Sequence, residues 1–186
     1  TIRDGYLACL ASRTASRVLL TLGTVPLDSP ETMYEAIRAV PWEEHLGADG
    51  TLAINVVGQG PAWLRHTQFA AQKAKDAIVD RIKEKRGARP DSGPDRGRTV
   101  VHLYWKEDRC IIYLDTSGET LSRRGYRKIP LAAPMQETLA AAVVLATGWT
   151  GGGNFINPMC GSGTLAIEAA LIGLDRAPGL LRSNFG

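Results

Sequence analysis

A cluster of small and polar residues near the end of the chain could hold a ligand. The stretch INPMCGSGTLAIEAA, from Ile156 to Ala170, places two glycines, Gly161 and Gly163, directly ahead of a helical pattern. Backbone N–H groups at the start of a helix point outward, and glycines let a ligand approach the backbone closely. The spacing of these residues therefore predicts a turn that holds a negatively charged or polar ligand.

Three ligands of such a turn differ in the residues that they require. A nucleoside triphosphate needs the pattern GxxxxGK[ST], and no lysine follows Gly163. A dinucleotide fits better, because residues 161–166 match G-x-G-x-x-A. S-adenosylmethionine would lie over a similar turn with no pyrophosphate to neutralise, and Asn157 would then face its amino group. The glycines alone leave the dinucleotide and the methyl donor open, beside a tight turn that binds nothing.

The cysteines favour reduced thiols in a cytoplasmic protein. Cys9, Cys110 and Cys160 are odd in number and lack CxxC spacing, which argues against a disulfide framework or a zinc site. No histidine lies near Cys160 in sequence, so we expect it to be a small packing residue rather than a nucleophile.

No apolar run approaches the roughly 20 residues of a membrane span. Thr1 is not a natural start, which indicates a fragment or a processed form.

Apolar periodicity predicts the elements that must position the turn. Residues 1–117 mix strands and helices in an α+β pattern, whereas residues 118–186 begin a strand–turn–helix unit of the α/β kind. Residues 87–98 form a loop by their glycine and proline content. Strands are expected at 17–23, 51–58, 99–106, 110–118 and 154–157, and helices at 6–12, 30–40, 69–85, 134–147 and 164–174.

Positive charge is concentrated in the middle of the chain. The net charge is only +3, yet the segment from Arg65 to Lys128 has sixteen basic and nine acidic residues. A local surplus of this kind fits a polyanionic partner, most plausibly a nucleic acid, or else a solvated lysine-rich helix and a basic loop.

The residues around the turn resemble a known family. NPMCGSGTLAIEAA is similar to the D-P-M-C-G-S-G-T-x-x-I-E-A-A signature of the THUMP-containing guanine-N2 RNA methyltransferases. Residues 121–149 resemble that family's R-G-Y-R and A-P-x-x-E-T-L-A-A-A segments, and residues 13–23, 68–80 and 175–180 also look like it. The likeness is greatest to the bacterial large-subunit rRNA branch, and it covers nearly the whole chain.

The resemblance implies a fold, a cofactor and a substrate. Residues 1–117 would be an α+β THUMP RNA-binding domain with the remnant of an N-terminal ferredoxin-like element. Residues 118–186 would be a linker, a leading helix and the first strand–turn–helix of a Rossmann-like methyltransferase domain. The chain would then belong to an S-adenosylmethionine-dependent 23S rRNA (guanine-N2) methyltransferase. The residues implied to bind the donor are Asn157, Pro158, Cys160, Gly161, Ser162, Gly163 and Thr164, with Glu137 and Thr138 of the leading helix.

The chain departs from the family pattern at three points. Asn157 stands where the family usually has aspartate, so the donor's ammonium loses a charged partner unless another acid compensates. The acid that holds the ribose hydroxyls, about 20 residues beyond the turn, lies outside the chain. Glu168 cannot replace it and is expected to be a helix-surface or helix-packing carboxylate. The family's Asp/Asn-Pro-Pro-aromatic loop is also absent, so we expect no catalytic residue in this chain and no activity of the chain alone.

Other functions also fit the sequence. Alternatives to the rRNA enzyme are an RNA-binding adaptor without catalysis, a tRNA guanine-N2 methyltransferase and an NAD-dependent enzyme, and the oligomeric state stays open.

Basic groups are the candidate RNA contacts. The candidate phosphate contacts are Lys73 and Lys75 on the long helix, Arg123, Arg124, Arg127 and Lys128 in the linker, and Arg86, Arg89, Arg96 and Arg98 on the loop.

Overall fold

The chain divides into two compact units, each described here by itself. One unit is Leu19–Gly118, and the other joins Thr1–Val18 to Glu119–Phe185. The computed structural model describes residues 1–46, 51–61, 63–64, 66–87, 91–92, 99–129 and 133–185. Residues 1–18, which the sequence placed in a first domain of residues 1–117, make their contacts with the C-terminal segment. The domain boundaries drawn from the sequence stay a prediction.

The described part of the unit Leu19–Gly118 is built on a five-stranded sheet of order β1-β5-β4-β2-β3. Antiparallel pairing joins β1 to β5 and β5 to β4, whereas β2 pairs in parallel with both β4 and β3. Residues 88–90 and 93–98 of the predicted loop lie outside the described residues, and β3 occupies the two residues between them. The strands are β1 Leu19–Pro26, β2 Thr51–Gln59, β3 Asp91–Ser92, β4 Thr99–Lys106 and β5 Arg109–Asp115.

Two helices cover one face of this sheet. In β4, Val101, Leu103 and Trp105 are buried while Tyr104 is 42% exposed, as the two-residue period of a strand requires. Helices α2 (Pro30–Ala39) and α3 (Thr67–Arg86) contribute to the same core.

Local sequence signals set where these helices begin and which face they bury. The Ser29 side chain accepts a hydrogen bond from the Thr32 N–H at 3.0 Å, and Pro30 starts α2, as predicted. The spacing of Ala71, Ala74, Ile78 and Ile82 predicts one buried face of α3, and the last three of these residues are fully buried. Ala70 and Ala77 are fully buried beside Ala74 and Ile78, whereas Ala71 is only half-buried.

The second unit is helical in its described residues. It contains α1 (Ile2–Ala11), α4 (Glu137–Ala146), α5 (Thr164–Gly173) and a 3₁₀ turn at Pro178–Leu181. Helix α4 begins three residues later than predicted, because Gln136 is still extended, with ψ at 137°. No helix within the described ranges is long and apolar enough to cross a membrane.

The predicted strand at residues 154–157 is wrong for this structure. Those residues are irregular, and Ile156 is 82% exposed. A strand needs a neighbour for its N–H and C=O groups, and none of the described residues of this unit forms a strand that could pair with it. The glycine turn is therefore positioned by the helices around it.

The alternation in β4 predicts losses of stability that differ in size between adjacent residues. Leu103→Ala empties a fully buried site, so we expect it to lower the free energy of unfolding by about 2–5 kcal/mol. Tyr104→Ala, on the other face of the same strand, is the control and should cost less than about 1 kcal/mol. Urea unfolding followed by tryptophan fluorescence measures both changes, and equal losses would contradict the assignment of faces.

Candidate functional site

Arg124 joins three separate segments of the helical unit. Its Nη1 donates to the carbonyl oxygens of Leu121 at 2.8 Å and Ser12 at 3.3 Å, and its Nη2 donates to the carbonyl oxygen of Arg13. Its Nε lies 3.6 Å from Oε1 of Glu168, and both side chains are fully buried. This burial contradicts the prediction of Arg124 as a phosphate contact, because the guanidinium faces carbonyls and a carboxylate inside the unit.

Glu168 is the buried carboxylate that receives Arg124. The hydroxyl of Tyr126 also donates to Glu168 Oε1, at 3.0 Å. Burial raises the pKa of the Glu168 carboxyl, and the nearby Arg124 opposes that rise. Burial likewise raises the pKa of the Tyr126 hydroxyl, which stays a hydrogen-bond donor. Of the two roles expected for Glu168, the structure shows helix packing rather than a surface position.

Gly125 lets the chain pass close to the 3₁₀ turn. Its φ is +91°, and a Cβ built there would lie 2.6 Å from the carbonyl oxygen of Leu181. A side chain at this position would therefore meet both backbone strain and a backbone clash. Gly125 allows the backbone to pass close to Leu181. The residues before and after it, Arg124 and Tyr126, both contact Glu168.

Arg127 connects the linker to the first turns of two helices. Its Nε and Nη2 donate to Glu137 Oε1 at 3.2 and 3.0 Å. Nη2 also donates to the carbonyl oxygen of Met135 at 3.1 Å and to Thr164 Oγ1 at 3.3 Å. The Arg127 side chain is only 21% exposed, and this contradicts its prediction as an RNA contact. Glu137 and Thr138, predicted beside the donor turn, are both buried.

The glycine turn has the backbone that the sequence predicted. Gly161 and Gly163 have φ values of +52° and +77°, and the Gly163 N–H closes the turn onto the Cys160 carbonyl at 2.8 Å. Gly163 is the N-cap of α5, and no side chain caps that end of the helix. A Cβ built at Gly161 would find no heavy atom of the described residues within 4 Å. Open space thus faces the turn.

The remaining turn residues range from exposed to buried, and Thr164 is the buried one. Cys160 is exposed, so its prediction as a buried packing residue is wrong: the residues from Ile156 to Gly161 are exposed apart from Asn157, and no core lies there for the thiol to enter. Pro158 is exposed as well. The Nδ2 of Asn157 is buried without a hydrogen-bond partner among the described residues. The hydroxyl groups of Ser162 and Thr164 form a hydrogen bond with an O–O distance of 2.9 Å.

Two cavities adjoin Arg127. One, of about 320 Å³, is lined by Tyr126, Arg127, Ser162, Thr164 and neighbouring side chains. The other, of about 610 Å³, is lined by Arg127, Gln136, Glu137 and residues of the linker and the C-terminal segment. Arg127 contributes to both walls. The helix N-terminus, the glycine turn and the cavities together make a site that can hold a small polar ligand.

The other predicted RNA contacts lie nearer the surface. Lys73 and Lys75 are half-buried on α3, and Lys73 Nζ lies 5.7 Å above the ring of Tyr34. Arg123 is 71% exposed and bonds Glu119 at 2.9 Å, and Lys128 is exposed. Arg86 donates to the Glu43 carbonyl. Arg89, Arg96 and Arg98 lie outside the described residues.

Sequence reasoning missed the two buried ion pairs, although it had a signal for them. Glu137 and Glu168 are the only charged residues in α4 and α5, whose other positions are almost all apolar. A lone carboxylate in an apolar helix is rarely buried without a partner. The two nearby arginines of R-G-Y-R supply those partners. Within the described ranges, no group of histidine, cysteine and acidic side chains could hold a metal ion.

Two family models match the chain in succession. Residues 28–115 match the THUMP domain, and residues 124–186 match the model described as RMKL-like, methyltransferase domain. The chain is 48% identical over 189 aligned residues to the ribosomal RNA large subunit methyltransferase K/L of Allochromatium vinosum, an alignment that covers 100% of this chain and 26% of that protein. The chain therefore spans about a quarter of the length of the curated relatives that it matches.

Solved structures show the same likeness. A protein described as an N6-adenine-specific DNA methylase from Listeria monocytogenes superposes with a TM-score of 0.86 at 34% identity, covering 99% of this chain and 48% of that one. SMU.472, described as a methyltransferase and complexed with SAH, gives a TM-score of 0.81 at 29% identity over 98% of this chain and 48% of its own.

The neighbouring arginines Arg123 and Arg124 should respond differently to the same substitution. Arg124→Ala leaves Glu168 buried without its cation, so we expect a loss of about 3–5 kcal/mol in the free energy of unfolding. Arg123→Ala breaks an exposed pair and should cost less than about 1 kcal/mol. Urea unfolding compares the two variants. A small loss for Arg124→Ala would show that the buried pair does not hold this unit together.

Proposed function

Because residues 28–115 form a THUMP domain and residues 124–186 belong to the RMKL-like methyltransferase domain family, we propose that this chain is part of an S-adenosylmethionine-dependent 23S rRNA (guanine-N2) methyltransferase. In this proposal the THUMP domain binds RNA and the C-terminal segment supplies one wall of the methyl-donor site. The named relatives, which are large-subunit rRNA methyltransferases, support the rRNA substrate, and the cytoplasmic location is part of the same proposal.

The observation that carries the proposal is the turn Cys160–Gly163 together with its connection through Arg127. Two glycines with positive φ open the backbone ahead of an uncapped helix N-terminus. Arg127 then holds Thr164, at the end of this turn, beside Glu137 of the leading helix. The G-x-G-x-x-A spacing would also suit a dinucleotide, but the match to a methyltransferase domain favours the methyl donor.

The residues present fit S-adenosylmethionine. Asn157 has a buried amide nitrogen with no partner among the described residues, and this N–H donor would be satisfied by an acceptor oxygen or nitrogen of the ligand rather than by its ammonium group. The space in front of Gly161 is open, so a ligand can reach the backbone. Asn157 through Thr164 would hold the donor from the turn, and Glu137 and Thr138 would border it from α4. SMU.472, which was solved with SAH, is related over nearly the whole chain.

The bound donor would supply an activated methyl group on a sulfonium centre. The task of this chain's residues is then to bind and orient, since methyl transfer gains most of its rate from alignment of the reacting atoms. The turn holds the donor in place and the THUMP domain holds the RNA. Groups that orient the guanine amine would lie on a loop of the Asp/Asn-Pro-Pro-aromatic type, a sequence that these 186 residues do not contain.

The proposed RNA contacts are the accessible basic groups of each unit, taken separately. Lys73 and Lys75 lie near the start of α3, and Arg123 and Lys128 are exposed in the linker. Arg124 is excluded because its guanidinium is fully buried, and Arg127 is excluded because it lines the cavities beside the turn, where we place the donor rather than RNA. Contacts of this kind bind phosphates and leave sequence unread, so we expect recognition that depends on RNA shape.

A substitution in the turn tests the donor site. Gly161→Val would fill the open space ahead of the turn, so we expect its affinity for SAH to fall at least about tenfold. Gly148→Val is the matched control: Gly148 has φ +74° and an equally open surrounding, but it follows α4. Ligand-observed NMR with millimolar SAH measures both. Wild-type binding should be weaker than micromolar, since no ribose-binding acid is present; sub-micromolar binding or equal losses would contradict the proposed site.

Paired substitutions on α3 test the proposed RNA contacts of that helix. The double variant Lys73→Gln, Lys75→Gln should bind rRNA fragments more weakly, and the slope of log K against log salt should flatten by about 1.4–1.8. Lys83→Gln with Lys85→Gln removes the same charge at the other end of α3 and serves as the control. Filter binding over a salt series gives both slopes. An unchanged slope for the first pair removes Lys73 and Lys75 from the RNA contacts.

A further inference from the structure

We propose that the ion pair between Arg127 and Glu137 is the amino-acid subsite of the donor site, and that it compensates for the aspartate missing at position 157. Glu137 accepts hydrogen bonds from the donor's ammonium group, and Arg127 donates to the donor's carboxylate. This inference rests on the proposed function, because it assigns the group that recognises the methionine end of the same ligand.

Arg127 has a donor to offer. Its Nε and Nη2 are engaged with Glu137, Met135 and Thr164, whereas its Nη1 is buried and bonds no atom of the described residues. An unsatisfied N–H group of this kind is costly, and an incoming oxyanion removes that cost. Planar guanidinium groups suit carboxylates in geometry and in charge. Arg127 also lines both cavities, so a ligand in either one meets it.

Glu137 has an acceptor to offer. Both of its bonds to Arg127 end on Oε1, and the contacts in the described residues leave Oε2 free to accept. A carboxylate has about four lone-pair sites, so one oxygen can hold Arg127 while the other accepts from an ammonium group. Glu137 lines the larger cavity beside Arg127. The pair thus presents one donor and one acceptor, as a zwitterionic amino acid requires.

Among the described residues, Glu119 also lines the larger cavity, but it pairs with the exposed Arg123 rather than with Arg127. Residues 157–164 contain no acid, and Asn157 is neutral. Glu168 is fully buried and is committed to Arg124 and Tyr126. Glu137 is connected to the turn by a continuous path, because the Arg127 nitrogen that it accepts from also donates to Thr164. The charge that the turn lacks is therefore supplied from the first residue of α4.

The test compares two ligands that differ only in the group at issue. SAH carries the amino-acid group, and 5′-methylthioadenosine keeps the adenosine and the sulfur but lacks it. Binding of both to the full chain is measured by ligand-observed NMR at millimolar concentration. Glu137→Gln and Arg127→Lys should each weaken SAH about tenfold, as expected for a charge-assisted hydrogen bond, and change 5′-methylthioadenosine by less than about twofold.

A control and a rescue complete the experiment. Asp175→Asn removes an exposed carboxylate of the same unit that lines neither cavity, and it should leave both ligands unaffected. Asn157→Asp, added to Glu137→Gln, should restore SAH binding by returning the charge to the turn. Thermal unfolding checks each variant, and if Glu137→Gln does not fold, Arg127→Lys decides the question.

Each contrary outcome has a distinct meaning. If a variant weakens SAH and 5′-methylthioadenosine equally, the pair acts only by holding α4 against α5, and the inference is overturned. If the wild-type chain binds SAH no better than 5′-methylthioadenosine, the amino-acid subsite is absent while the adenosine part of the donor site stands. If it binds neither ligand, the proposed donor site falls together with the subsite.

Discussion

A buried charge must have a partner, and in the helical unit this constraint organises nearly everything else. The guanidinium of Arg124 and the carboxylate of Glu168 are both fully buried, where an unpaired charge would cost several kcal/mol. Their pairing fixes α5 against the linker, and the remaining donors of Arg124 fix the linker against residues 12 and 13. The glycine turn is held in place because the helix that it begins is held by this pair.

The R-G-Y-R segment thus contacts both α4 and α5, and its two arginines pair with different helices. Arg124 and Tyr126 reach Glu168 in α5, Gly125 permits the close passage, and Arg127 reaches Glu137 in α4. The stabilising pair is fully buried, whereas the second pair borders two cavities. The same residue type, three positions apart, joins buried segments in one case and, in our proposal, recognises a ligand in the other.

Much of the fold could be predicted from the sequence, because its signals are local. Period-two alternation located β4 and β5, and Ser29 with Pro30 located the start of α2. The positive φ of Gly161 and Gly163 was also predictable. The irregular backbone at 154–157, the exposure of Cys160 and the internal contacts of Arg124 and Arg127 could not be, since each depends on what lies beside the residue in space. A guanidinium that faces a phosphate and one that faces a buried glutamate look alike in a sequence.

The contacts of Arg124 also order events during synthesis. The hydrogen bond to Ser12 spans 112 residues, and the contact between Tyr126 and Glu168 adds another 42. The sheet unit lies wholly between residues 18 and 119, so all of it is synthesised before Arg124. Helix α1 therefore precedes the sheet in synthesis but can complete its contacts only after residues 119–185 have followed. The sheet unit is thus an insertion, in sequence, between the two segments that form the helical unit. Its strands can pair before the helical unit is complete.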